Sequence, residues 1–214
     1  MSLELHLELL SRRASFCTEG ASGGRIYFES DVENGDNSYP FAGGNNTVEA
    51  ASMELYPEYL NLPWFMADVG VVILEAPGVD WLDPGDYGVL PELNQFDVLK
   101  TKRGKQITDF TAVGYGLQRI NPVFVEAEKV RMRSNPSLIQ INGGLVGDFS
   151  LLLTNNASTG GTCFGDSGGP NFYGDTMVVA GVTSFGMNGN CAGTGGVFRM
   201  DRAGPLAWVS SFLN

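Results

Sequence analysis

Histidine is almost missing from this chain: among 214 residues there is one, His6. Basic residues are scarce too, with 13 Lys and Arg against 24 Asp and Glu, a net charge of −11 and a pI near 4.4. A nucleic-acid binder needs a basic footprint to neutralise phosphates, so that class of partner is excluded. No apolar run reaches the roughly 18 residues of a membrane-crossing helix, so no membrane partner is expected. The first ten residues carry Glu4 and Glu8 where a secretory leader would be basic, so they do not read as a signal peptide. Cysteine is limited to Cys17, Cys163 and Cys191, and an odd count leaves at least one thiol outside any intramolecular disulfide. Charged residues make up only 17% and hydrophobic ones 43%, which excludes a disordered tail and a coiled coil. The length fits one or two domains.

What is abundant is glycine, 29 residues, about twice the usual 7%. Short apolar or alternating runs recur between turn signals: 25–28, 47–55, 69–74, 110–115, 123–132, 138–141, 149–153 and 177–185. Val, Ile, Phe and Leu dominate them, and Gly, Asn, Asp or Pro flank them, so each reads as a strand. Many strands without intervening helices predict an all-β sandwich or pair of barrels. Leu206, Val209, Phe212 and Leu213 recur at helical spacing behind Pro205, which predicts one C-terminal helix. The Pro- and Gly-punctuated stretch 76–106 reads as a connection between two halves.

One string stands out chemically, Gly165-Asp166-Ser167-Gly168-Gly169-Pro170. A serine between glycines on a tight turn has an exposed hydroxyl. The N–H groups of Gly165 and Ser167 can converge on one point, where the oxyanion of a tetrahedral intermediate would sit. On residues alone an ordinary turn stays open as the other reading. The acidic stretch 31–37 has oxygen ligands for Ca²⁺ but lacks EF-hand spacing, and a solvated turn is the expectation. Asn45-Asn46-Thr47 and Asn156-Ala157-Ser158 match a glycan acceptor pattern that also arises by chance.

The hexapeptide resembles the signature around the nucleophile of trypsin/chymotrypsin-like serine peptidases. Around it, Cys163 and Cys191 resemble a cysteine pair that the family bridges beside its substrate pocket. Ser184-Phe185-Gly186 resembles the strand that pairs with substrate backbone. Gly195-Gly196-Val197-Phe198 resembles the strand closing the pocket, and Val113-Gly114-Tyr115-Gly116 the strand opening the second barrel. Asp68, ahead of Val69-Gly70-Val71-Val72-Ile73-Leu74, resembles the acid that orients the base. The resemblance implies two antiparallel Greek-key β-barrels with a cleft between them and a C-terminal helix. Its boundaries would be an atypical leader over 1–16, a partial first barrel over 17–106 and a second barrel with the helix over 107–214. It implies Ser167 as nucleophile, Gly165 and Ser167 N–H groups as oxyanion hole, and Ser184, Phe185 and Gly186 as substrate contacts. Gly161, Gly186 and Gly196 would shape the side-chain pocket. With no carboxylate at Gly161, that pocket would favour an apolar or aromatic side chain. The matching acid to Asp166 pairs in the family with a newly cut N-terminal ammonium, and no such start is present here, so Asp166 needs another donor. The family implies export, a polypeptide partner and a monomer, with no cofactor and no metal.

The general base is out of place. A serine hydroxyl is a poor nucleophile until something takes its proton, and the family uses His. The segment that resembles the family's base-bearing stretch is Arg13-Ala14-Ser15-Phe16-Cys17, which puts Phe16 at the position of the lost His. Phe16 accepts no proton. Three expectations remain open: a truncated or misplaced front end, a pseudo-peptidase that kept the scaffold, or another group standing in for His. His6 lies in the alternating run Leu3 to Leu9, where a surface or satisfied imidazole is the plain reading; with no second ligand nearby it is no metal site.

Overall fold

The computed structural model describes residues 23–79, 81–100, 108–121 and 124–213. His6, Phe16 and Cys17 lie outside the described residues. The fold is mostly β with one C-terminal helix, as the resemblance implied. In the first half, β1 (Arg25–Tyr27), β4 (Thr47–Leu55) and β5 (Gly70–Leu74) form an antiparallel sheet in the order β1-β4-β5. A small hairpin, β2 (Asn37–Ser38) and β3 (Ala42–Gly44), stands beside it.

The second half is a seven-stranded sheet in the order β10-β11-β14-β13-β12-β6-β9. Its strands are β6 (Phe110–Gly114), β9 (Met132–Ser134), β10 (Leu138–Gly143), β11 (Gly147–Asn155), β12 (Pro170–Tyr173), β13 (Val179–Gly186) and β14 (Gly193–Arg199). Every pair is antiparallel. The two edge strands, β9 and β10, follow one another in the chain across residues 135–137. The strip therefore curls until its ends meet, which is how a sheet loses its edges. β7 (Arg119–Asn121) and β8 (Phe124–Glu126) make a separate hairpin.

Two apolar clusters hold the body. One lies inside the second barrel, where Phe110, Ile141, Leu151, Leu153 and Val197 meet Phe96 and Leu99 of the connection. The other joins the halves: Val69 and Val71 of the first pack on Val182, Phe198 and Met200 of the second and on Val209 of the helix. The connection is anchored along its length, since Val89 accepts from Val179 N–H and donates to Met177 C=O.

Two sequence expectations need correction. The run 123–132 is not one strand. After β8 the chain leaves, and residues 129–131 pair with the acidic loop: Val32 N–H donates to Lys129 C=O and Arg131 N–H to Ser30 C=O. Alternation along 125–131 thus reflects two short pairings with different partners. The helix, α1, spans Ala203–Ser210 and not 206–213. Its last turn tightens, with Phe212 N–H bonding Val209 C=O and Leu213 N–H bonding Ser210 C=O.

Candidate active site

Asp68 lies two residues before strand β5 and is itself fully buried. Ser184, on β13, donates its hydroxyl to Asp68 Oδ2 at 2.5 Å. The bond crosses from the first half to the second. It is set up by a bulge: Thr183 faces Val197 and Phe185 faces Gly196, so Ser184 is the extra residue on β13. A bulge re-aims a side chain, and here it turns the Ser184 hydroxyl to the carboxylate.

The turn carrying Ser167 is clamped to the same strand. Gly168 N–H donates to Thr183 C=O and Thr183 N–H to Gly169 C=O, each at 3.0 Å. Beneath it, the buried Asn171 amide donates to Thr183 Oγ1 at 2.9 Å. Gly165 has φ +98°, a conformation that glycine adopts without a Cβ penalty. Among the described residues, neither the Gly165 nor the Ser167 N–H donates to another protein group. Both are free to meet an acceptor from outside.

Asp166 points away from the cleft. Its carboxylate accepts from Gly116 N–H and Cys163 N–H, both at 2.8 Å. Gly114 and Gly116 are glycines for this reason: a Cβ on either would lie 2.0–2.5 Å from the carboxylate oxygens. Among the described residues Asp166 has no ion-pair partner. Burial pushes its carboxyl above the usual carboxylate range, and the two N–H donors offset only part of that. The donor that the sequence reading required is thus backbone.

Ser167, Ser184, Phe185 and Gly186 line one cleft of about 820 Å³. Cys163 and Cys191 are joined by a disulfide in its wall. Cys191 sits at φ +53°, held in a loop where Asn188 Oδ1 accepts from Asn190 and Ala192 N–H groups. Two of the glycines read as pocket shapers are placed differently. Gly161 does not line this cleft but a second cavity behind the Ser167 turn, where its missing Cβ leaves room for the Asn155 side chain. Gly196 does not line it either, because the Phe185 ring covers it. Thr162 takes the place beside the disulfide. Sequence reasoning missed Phe65 from the first half, and Gln140, Gly143, Val146 and Leu152 from the β10–β11 hairpin. The Gly143-Gly144 turn was the available signal for that hairpin, but nothing local says it faces Ser167. Among the described residues, none that lines the cleft carries a formal charge.

A sequence model of the Trypsin family matches residues 90–202. The chain belongs to the trypsin family. Solved structures agree on the fold. HL collagenase is 18% identical, with 95% of this chain and 80% of that one covered and a TM-score of 0.68. The atomic-resolution structure of HBP is 17% identical over 96% of this chain and 80% of that one, with a TM-score of 0.66. A double mutant of human heparin binding protein is 18% identical over 78% and 66%, with a TM-score of 0.58. No curated protein sequence matches the chain. Within this trypsin-family chain, the described residues contain no group of three His, Cys, Asp or Glu able to hold a metal.

Proposed function

We infer that this trypsin-family chain is a serine-type endopeptidase scaffold whose catalytic machinery, as the sequence stands, is impaired. Ser167 is the nucleophile, and the Gly165 and Ser167 N–H groups receive the oxyanion. Asp68 is the acid that would orient an imidazole, and in the sequence segment that resembles the base-bearing stretch the matching residue is Phe16. Residues 184–186 would pair with substrate backbone. The observation that carries the reading is the buried Asp68–Ser184 hydrogen bond at the edge of a cleft that also holds Ser167. A buried carboxylate at that place stabilises a developing imidazolium and has little other use. The division into halves at 106 and 107 and export from the cell belong to the same reading.

Among the described residues the cleft is lined by Phe65, Val146, Leu152, Phe164, Phe185 and Met187 beside uncharged polar groups and no charged one, which supports an apolar side chain as its occupant. One similar structure is named for heparin binding. A chain of net charge −11 repels that polyanion, and polypeptide is the partner we assign.

The second reading is a homologue that binds polypeptide through the same cleft without cleaving it. The sequence match of Phe16 to the position of the base favours it. A small fluorophosphonate without a recognition side chain separates the two. On the peptidase reading it labels Ser167 slowly, and Ser167→Ala abolishes the label. A folded chain that stays unlabelled yet binds apolar peptides supports the second.

A further inference from the structure

Asn-Gly dipeptides occur three times in the sequence, at 34–35, 142–143 and 188–189. In such a pair the glycine nitrogen can attack the carboxamide carbon of the asparagine, because no Cβ hinders the ring that closes and the glycine backbone turns freely. The fold treats the three differently. A Cβ on Gly35 would collide with the Glu29 carboxylate, so that glycine is packed in place, and the Asn34 amide nitrogen donates to Asp31. Gly143 stands in the ladder of β10, where a Cβ would collide with the Gln140 side chain. Gly189 is exposed, and a Cβ there would meet nothing within 4 Å. The carbonyl beside it is held by two donors: Asn188 Oδ1 accepts from Asn190 N–H at 3.3 Å and from Ala192 N–H at 3.0 Å. Asn188 Nδ2 donates to Ala192 C=O. Two N–H groups on one carbonyl oxygen are the arrangement that takes up the charge of a tetrahedral intermediate.

We propose that Asn188-Gly189 is a self-modification site that turns an amide of the cleft wall into an acid. The Gly189 nitrogen attacks Asn188 Cγ and gives its proton to water. The N–Cγ bond forms, the Cγ–Nδ2 bond breaks, and the nitrogen leaves as ammonia with a proton from solvent. Water then opens the cyclic imide at one of its two carbonyls. The product is an aspartate at position 188, or an isoaspartyl link whose main chain runs through the side-chain carbon. One water is consumed and one ammonia released, and nothing is oxidised or reduced. Asn188 and Gly189 line the cleft, whose described lining residues carry no charge, so conversion gives it one carboxylate. It also puts an acceptor where the amide NH2 had bonded Ala192 C=O, so the loop that holds Cys191 at φ +53° loses a tie. The converted cleft attracts a polypeptide that presents a cationic side chain. This last part rests on the reading of the cleft as a polypeptide site; the conversion itself does not.

The test follows the native chain through incubation at mildly alkaline pH, with peptide mapping by mass spectrometry at each time point. Asn188 gains the mass of an amide-to-acid exchange at least about tenfold faster than Asn34 or Asn142. Unfolding the chain in urea brings the three rates together, since only the folded loop supplies the two N–H donors. Gly189→Ala slows conversion at 188 and leaves Asn34 unchanged. Equal rates at the three sites in the native chain, or no conversion at 188, overturn the proposal. The charge is read by calorimetric titration of Asn188→Asp and of the freshly purified chain with capped tetrapeptide amides that carry a central Lys or a central Leu. In Asn188→Asp the Lys peptide gains about threefold relative to the Leu peptide, the size of an exposed ion pair, and added salt removes the gain. An unchanged ratio overturns the cationic preference. Binding of neither peptide to either form counts against the polypeptide reading as well, while the mass readout stands apart from both.

Discussion

Asp166 is the residue whose environment is least at ease. Its carboxyl is held by two backbone N–H donors, lacks an ion-pair partner among the described residues, and is raised from the ordinary 3.8 mainly by burial. A carboxyl with a raised folded-state value binds protons more tightly folded than unfolded. Its stabilising contribution is therefore complete below about 3.8 and is lost as pH rises through the folded value. Asp166→Asn removes that dependence while losing one of the two N–H acceptors. Urea unfolding at a series of pH values should show the variant gaining on the parent from acid toward neutral pH. A difference that does not change with pH would mean that Asp166 is not perturbed. The sequence raised the expectation that Asp166 needs a donor other than an N-terminal ammonium, but its satisfaction by Gly116 and Cys163 was not legible. Those donors come from the bend after β6, distant in sequence, and from the turn itself, and no local pattern encodes such an approach.

At the scale of elements, the end of β14 is locked by charge. Arg199 and Asp201 are both fully buried. Arg199 Nε donates to Asp201 Oδ1 at 2.8 Å and Nη2 to Oδ2 at 2.7 Å, with a further bond to Asp97. Asp201 also accepts from Phe96 N–H at 2.9 Å. Arg202, which precedes α1, reaches Asn94 and Asp97, and Lys100 reaches Asp97 and Asp148. The cluster ties the connection, β11, β14 and the helix together. Removing one partner leaves a buried charge uncompensated, so Arg199→Met should cost about 3–5 kcal/mol in denaturant unfolding. Arg199→Met with Asp201→Asn should recover part of this, since Asn still accepts from Phe96 N–H. A single variant as stable as the parent would contradict the account. None of this was legible: the connection 76–106 reads as turn-rich linker, yet Phe96 and Leu99 are core residues. Strands with a uniform apolar face, such as β4, β5 and β13, were legible because one partner set covers their whole length. The run 123–132 was not, because its partner changes midway.

At the scale of the whole molecule, the elements that line or flank the cleft come from both halves. Asp68 and Phe65 stand on the first, and Ser167, Ser184 and the β10–β11 hairpin on the second. The hexapeptide around Ser167 and the Asp68 segment stood out in the sequence because each is contiguous. The rest of the cleft wall did not, because it is assembled from separate turns whose meeting depends on the curl of the seven-stranded sheet. The central claim is that this assembly is a peptidase cleft missing only its proton acceptor. Phe16→His supplies one, and general-base assistance is worth about 10²–10⁴-fold in rate. The decisive measurement is the second-order rate of Ser167 phosphonylation in the chain as it stands, in Phe16→His, and in Phe16→His with Asp68→Asn. The account expects a gain of at least about a hundredfold on adding the imidazole and loss of most of that gain on removing the carboxylate. Labelling that is indifferent to both changes would contradict it.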